Sequence, residues 1–483
     1  MSPIIILCII LGYFGVLIAI SKLVSKSDDD NAAFFSANKN APWYLVAFGM
    51  IGASLSGVTF ISIPGKVATD QFSYFQIVIG YILGYFIIAT LLLPLYYKYN
   101  LITIYTYLEN RFGKITRKTA SAFFIISRVV GSNLRLMLVA DVLQILVFDA
   151  LHIPYFVTVT ATLWLIWVYT QQSGLKTIVW TDTLQTLFML ISLGYCLTLL
   201  SQDLGVNISN ISTYLSNSDL SKTFFFEDWR DAKYFWKHFF SGAVIALAMT
   251  GLDQDMMQKN LSCKSLKDAQ KNMLWFTITL VFVNFVFLIV GLLLSDYAVK
   301  HHVLASGDKL FPIIANEYLG LGVAAFFLIG LIAAAFSSAD SALTSLTTAV
   351  SIDILEIQKK YNIEKQVEVR KQIHRLFVWI SIAVILFFKY LIADSSVIDK
   401  VLKYAGFTYG PLLGLFALGL FSKIQINDKA TPYVAIVAVV LSIVLNLNSL
   451  AWFGFSIGFE IIIINALIML FGLRIAALSI KKT

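Results

Sequence analysis

The residues best suited to chemistry lie in apolar surroundings. The segment AAAFSSADSALTSLTTAVS, beginning at residue 333, carries hydroxyls at Ser337, Ser338, Ser341, Thr344, Ser345, Thr347 and Thr348. Ser337, Ser341, Thr344 and Thr348 repeat at helical spacing, which puts their oxygens along one face, and Ser338 adds a second hydroxyl to the same turn. Hard cations take several oxygen ligands, and neutral hydroxyls joined by free carbonyls suit a singly charged ion such as sodium. The structural alternative is that serine and threonine merely bind membrane helices together. Asp182, in VWTDTLQ, lies about one helical turn inside an apolar stretch. At the depth of Ser341 its carboxylate either completes a second cation site or caps a helix at the interface. Asp340 is a weaker candidate, because it sits about 60° around the helix from Ser337.

Arg135 falls in the middle of another apolar stretch. Charge at that depth is costly and usually marks function. A cation facing a cavity suits a carboxylate ligand, whereas pairing with an internal acid would make it structural. Arg128 stands seven residues earlier on the same face, and Asp141 six later on a different one. Asp253, Gln254 and Asp255 in TGLDQDMMQKN are placed either to gate the inner side or to form loop ion pairs. Lys389 and Glu460 lie near helix ends, where snorkelling or packing accounts for them. The histidines at 152, 238, 301, 302 and 374 are scattered, as are Cys8, Cys196 and Cys263. No enzyme-like cluster, metal-spaced cysteine pair or disulfide framework is therefore expected.

These side chains need elements that hold them inside an apolar medium. Of 483 residues 58% are hydrophobic and 13% charged, and the mean hydropathy is +0.80. Soluble domains run about 45–50% apolar and about 25% charged, so this chain cannot cover a water-facing surface of its size. It reads as an all-α polytopic membrane protein. A bilayer core about 30 Å thick takes about 20 mostly apolar residues per helix. Thirteen such runs are expected, over roughly 3–22, 42–66, 72–97, 121–148, 153–171, 178–200, 236–258, 272–296, 321–350, 373–392, 398–420, 431–448 and 451–474. The first lacks a basic leader region and an A-x-A cleavage site, so it is read as a mature helix.

Thirteen spans put the termini on opposite sides, and loop Lys and Arg mark the cytoplasmic one. Loops after odd-numbered spans, with the C-terminal tail, hold 24 of the 36 basic residues, including Lys26, Lys259, Lys481 and Lys482. Loops after even-numbered spans hold 5: Lys222, Arg230, Lys233, Lys300 and Lys309. The N-terminus is thus expected outside and the C-terminus in the cytoplasm, at the plasma (inner) membrane. The net charge of +8 belongs to these loops and implies no nucleic acid partner. The outer segment 201–235 reads as a lid or as a solvated connector with an aromatic belt.

Spans two to six and seven to eleven have starts offset by about 194 to 220 residues, and a five-helix unit repeated once must enter the membrane upside down. The expected organisation is an extra helix (1–24), a first repeat (42–200), the outer loop (201–235), a second repeat (236–420), and two helices with a tail (431–483). The first helix of each repeat is interrupted, by Gly49, Gly52, Ser54, Ser56, Gly57 and Thr59 in one, and by Gly242, Thr250 and Gly251 in the other. Paired interruptions are the best sequence pointer to a transport site, because unwound backbone at the midplane offers carbonyls and helix ends. Close helix packing is the plainer use of such residues.

The chain resembles the sodium:solute symporter family, which includes sodium/glucose, sodium/proline, sodium/pantothenate and sodium/sialic acid transporters. The resemblance rests on TIYTYLENRFG (from 103), YTQQSGLKTIVWTDTLQ (from 169), GLDQDMMQKNLSCKSLKDAQ (from 251) and AAAFSSADSALTS (from 333). It departs at Ser173-Gly174, where Gly-Gly is usual. It implies a LeuT-type core of two inverted five-helix repeats, one helix before and two after. It further implies a sodium site with side-chain oxygens from Ser337 and Ser338 and carbonyls from Gly52, Leu55 and Ala334. Asp182 and Ser341 match members with a second sodium, so removing the Asp182 carboxylate is expected to lower the sodium Hill coefficient. Substrate residues are expected at Ser54, Ser56, Thr59, Phe72, Gln76 and Arg135. That set is similar to the sialic acid branch, which points to an acidic sugar, with a neutral sugar or another small carboxylate as alternatives. A channel would carry charged rings or a filter loop, and the sequence has neither.

Overall fold

The computed structural model describes residues 3–24, 31–171, 174–207, 209–391 and 397–480. Ser173 and the loop lysines Lys26, Lys481 and Lys482 lie outside these. The regular elements among the described residues are helices, and besides short loop helices such as Asn31–Ser36, Thr106–Arg111 and Ile211–Asn217 they are α1 (Pro3–Val24), α2 (Trp43–Ser54), α3 (Gly57–Asp70), α4 (Tyr74–Lys98), α5 (Lys114–Leu143), α6 (Tyr155–Thr170), α7 (Leu175–Asp203), α8 (Phe235–Gly251), α9 (Gln254–Asn260), α10 (Leu266–Lys300), α11 (Leu321–Ile354), α12 (Ile363–Leu391), α13 (Val397–Phe421), α14 (Thr431–Phe453) and α15 (Ile461–Ile480).

Ten of these helices are long and apolar enough to cross a membrane, and two bent pairs raise the number to twelve. The expected thirteenth, over 153–171, is α6, with 16 residues. At 1.5 Å per residue it reaches about 24 Å, short of a bilayer core, because Pro154 fixes its start. The last expected span also begins late. Helix α14 runs on to Phe453, Gly454 turns the chain at φ +75°, and α15 opens only at Ile461. Hydropathy does not register a left-handed turn inside an apolar run. Elsewhere α5, α10 and α12 extend beyond the expected runs by amphipathic turns rich in charge.

Both interrupted helices break where glycine and hydroxyl residues gather. Between α2 and α3 the chain leaves helical geometry at Leu55 and Ser56 and bends by 54°. Between α8 and α9 it does so at Leu252 and Asp253, bending by 69°. The Asp253 carboxylate caps α9, accepting from the amides of Asp255 at 2.9 Å and Met256 at 3.2 Å. Small residues bring α4 and α8 together: a Cβ on Gly242 would lie 2.9 Å from the Ile77 carbonyl carbon, a close helix approach of the small-residue kind.

The outer segment is tied down. Gln76 on α4 accepts from the Phe225 amide at 3.1 Å and donates to the Lys233 carbonyl at 2.9 Å, while the Phe72 amide donates to the Lys222 carbonyl at 3.1 Å. At the opposite end Asp428 accepts from the Ile115 and Thr116 amides at 3.0 and 2.6 Å, which satisfies the open N-terminus of α5.

Candidate functional site

The C-terminal end of α2 leaves backbone carbonyls without helical partners, and α7 and α11 pack against it. The Ser338 hydroxyl donates to the Ala53 carbonyl at 3.2 Å. Gly52 lies so close that a Cβ there would stand 3.3 Å from the Ser337 hydroxyl and would collide with the Thr186 hydroxyl. Leu55 follows at the break, and Ala334 lies one turn before Ser338 on α11. Gly52, Ser337 and Ser338 thus meet at one buried corner, with Leu55 next to it along the chain and Ala334 a helical turn away, both buried. Its hydroxyl and carbonyl oxygens are neutral, and the Asp182 carboxylate adjoins them through Ser337. This donor set fits a sodium ion.

Asp182 joins the same corner from α7. It accepts from Ser337 at 2.7 Å, from Ser341 at 3.4 Å and from the Lys259 ammonium at 2.6 Å. Sequence reasoning placed Lys259 in a cytoplasmic loop. It is instead 2% exposed, at the end of the buried helix α9. The signal was its position four residues after Asp255, one turn along a helix in the second interrupted span. Asp340 sits at the edge of this cluster, accepting from the Tyr169 hydroxyl at 3.0 Å and the Ser341 amide at 2.6 Å.

Across the break from this corner lies a narrow cavity with about 80 Å3 of water-accessible space. Ser54, Ser56 and Thr59 form one wall; Tyr74, Tyr81 and Tyr85 line it from α4, and Arg135 reaches it from α5. Asn284 on α10 lines it too, with a buried amide oxygen that has no partner. Phe72 and Gln76 are not brought to this cavity. Phe72 packs on Phe285, ring centroids 6.3 Å apart, and Gln76 is spent on the outer segment. The three tyrosines were legible as one helical face, spaced at i, i+7 and i+11, but aromatic faces usually report packing.

The two arginines of α5 differ sharply. Arg128 is paired with Asp255, lies 3.7 Å from Asp253, and meets there the Tyr409 hydroxyl, which donates to Asp253. These contacts join α5, α9 and α13 beneath the cavity. Among the described residues no carboxylate lies within ion-pair distance of Arg135. Its guanidinium faces the cavity with its donors uncommitted, poised for a planar anion.

The family model described as the sodium:solute symporter family matches residues 34–441. A sodium/sialic acid symporter of Proteus mirabilis is 24% identical over 456 residues, covering 90% of this chain and 87% of that protein. A sodium/glucose cotransporter of Vibrio parahaemolyticus is 26% identical over 472 residues, covering 89% and 82%. A solved structure of a Na+-coupled sialic acid symporter, substrate-bound and outward-open, has the same fold, with TM-score 0.82 over 98% of both chains at 21% identity.

Proposed function

Because the chain belongs to the sodium:solute symporter family, we propose that it imports a small carboxylate-bearing solute with sodium, an acidic sugar such as sialic acid being the first choice. The protein is an integral membrane protein of the plasma membrane and couples solute movement to sodium. The excess of basic residues on one set of loops favours an outside N-terminus and an inside C-terminus, a reading that counts the short α6 as a thirteenth crossing. Sodium binds at Gly52, Leu55, Ala334, Ser337 and Ser338, with Asp182 and Ser341 on its flank. The solute binds across the break, its hydroxyls to Ser54, Ser56 and Thr59 and its carboxylate to Arg135.

The observation that carries the acidic solute is the lone Arg135 guanidinium facing the cavity. A neutral sugar, as the name of the Vibrio relative suggests, would leave that half-buried charge in a membrane helix without a counterion, which is costly. A direct test is thermal protection of the purified protein in sodium. N-acetylneuraminate is expected to raise the melting temperature and its methyl ester, which lacks the charge, to leave it unchanged. Equal protection by both, or by glucose alone, would replace the acidic reading with the neutral one.

Both ligands touch the break of α2–α3, so occupancy of each favours the same backbone arrangement, and the bundle rocks only when both are bound. The Arg128, Asp255, Asp253 and Tyr409 contacts lock α9 against α5 and α13 and form the inner gate. Asp255→Asn is expected to loosen it. In a background lacking the exposed Cys8, maleimide labelling of Cys263, 1% exposed just after α9, should rise several-fold. An unchanged labelling rate would remove these contacts from the gate. Each sodium moved inward gains about 2.3 kcal/mol per 100 mV, and a co-imported anion gives the same amount back.

A further inference from the structure

We propose that Asn284 sets the solute class: besides a carboxylate for Arg135, the solute must bring a hydrogen-bond donor, an O–H or an amide N–H, to the α10 wall of the cavity. The proposal rests on the acidic-solute reading and deepens it. Asn284 is the single polar side chain between Thr279 and Ser295, within LVFVNFVFLIV. This part of α10 crosses the apolar medium, where an amide that lacks its hydrogen bonds is costly. The plain use of an asparagine in a membrane helix is a bond to a neighbouring helix. The Asn284 oxygen makes none among the described residues.

The side chain bonds along its own helix instead, its NH2 donating to the Leu280 carbonyl at 2.8 Å. That bond fixes which end of the amide is open. A carbonyl only accepts, so the NH2 must face Leu280 and the oxygen is the atom left over. The residue is 2% exposed and lines the cavity beside Leu280, so a solute that fills this narrow space packs against it.

An amide oxygen can only accept, and that makes it selective. A solute that sets a methylene against it leaves the oxygen stranded, whereas one that offers a donor forms the missing bond. The hydroxyls of Ser54, Ser56 and Thr59 donate or accept as required, and so impose no such demand. Arg135 offers donors alone. The cavity therefore asks for an anion at α5 and a donor at α10. Hydroxy and amido acids, acidic sugars among them, meet both conditions; hydrocarbon acids meet only the first.

The test is equilibrium dialysis of labelled N-acetylneuraminate and of labelled cyclohexanecarboxylate, a ring-sized acid without donors, against the purified full-length chain in saturating sodium. Wild type is expected to favour N-acetylneuraminate. Asn284→Val, which has no acceptor, should cut that preference about tenfold or more, the range of one unmade buried hydrogen bond. Asn284→Thr matches valine in shape and should keep part of the preference through its hydroxyl. No preference in wild type, an unchanged preference in folded Asn284→Val, or equal losses in the valine and threonine variants would overturn the proposal; a merely structural asparagine gives equal losses. If Asn284→Val does not fold, Asn284→Leu takes its place. Arg135→Gln tests the underlying reading separately, since it should weaken both acids alike. If neither acid weakens there, the carboxylate reading falls while the valine and threonine pair still decides the donor requirement. If wild type binds neither acid, both fall.

Discussion

Arg135→Gln is expected to lower uptake of a carboxylate solute at least about 100-fold while sodium binding survives. A guanidinium forms two charge-assisted hydrogen bonds with a carboxylate, each contributing about 1.5–3 kcal/mol, and about 1.4 kcal/mol is tenfold in affinity. Two such bonds correspond to a hundredfold or more. Arg135→Lys keeps the charge and loses the fork, so a smaller loss of about tenfold is expected. The folded state tolerates either change, because no acid among the described residues depends on Arg135. The contrast is Arg128→Gln, which strands Asp255 in the interior and should cost about 3–5 kcal/mol of stability. Initial uptake rates and melting temperatures on the same preparations separate the two. Undiminished uptake in folded Arg135→Gln would place the solute elsewhere.

Ser338→Ala is expected to raise the sodium concentration for half-maximal uptake by about 10- to 100-fold, equivalent to about 1.4–2.7 kcal/mol. A sodium ion held by a few neutral oxygens has none to spare, and a methyl group cannot replace one. The sodium-free protein loses only the hydrogen bond to the Ala53 carbonyl, 3.2 Å long and worth about 1 kcal/mol. Stability should therefore change little, and Ser338→Thr, which restores an oxygen, should recover part of the affinity. Ser337→Ala is a less clean probe, since its hydroxyl also bonds Asp182. An unaltered sodium dependence in Ser338→Ala would remove that hydroxyl from the coordination shell.

Much of this architecture can be read from the chain. Glycine and hydroxyl residues around 49–59 and 242–251 marked two interruptions, and the helices break at Leu55–Ser56 and Leu252–Asp253. Helical spacing and depth together brought Ser337 and Ser341 to Asp182, which is how they stand. What escaped has a common physical cause: hydropathy weighs a side chain by type, whereas burial depends on its partner. Lys259 counts as a loop cation until Asp182, 77 residues away, is seen to neutralise it. Gln76 passes for a solute ligand until Phe225, 149 residues on, takes its oxygen. The turn at Gly454 and the short α6 are hidden because apolar loops and apolar helices look alike in composition.

The contrast between Arg128 and Arg135 shows the same limit. Both sit on α5 seven residues apart, and the sequence assigns them the same environment. Both line the cavity, but the bend at Leu252–Asp253 brings Asp253 and Asp255 to Arg128 and leaves Arg135 without a carboxylate partner among the described residues. The backbone break thus does two things at once: it frees carbonyls and helix ends for ligands, and it decides which of the two arginines is structural and which is available.

The most direct measurement is uptake of labelled N-acetylneuraminate, glucose, proline and pantothenate into proteoliposomes, with and without an inward sodium gradient. Saturable N-acetylneuraminate accumulation that collapses when the gradient is removed, and that is lost in Arg135→Gln, is the predicted result. Saturable uptake of a neutral solute that is indifferent to Arg135, or accumulation that needs no sodium, would contradict it.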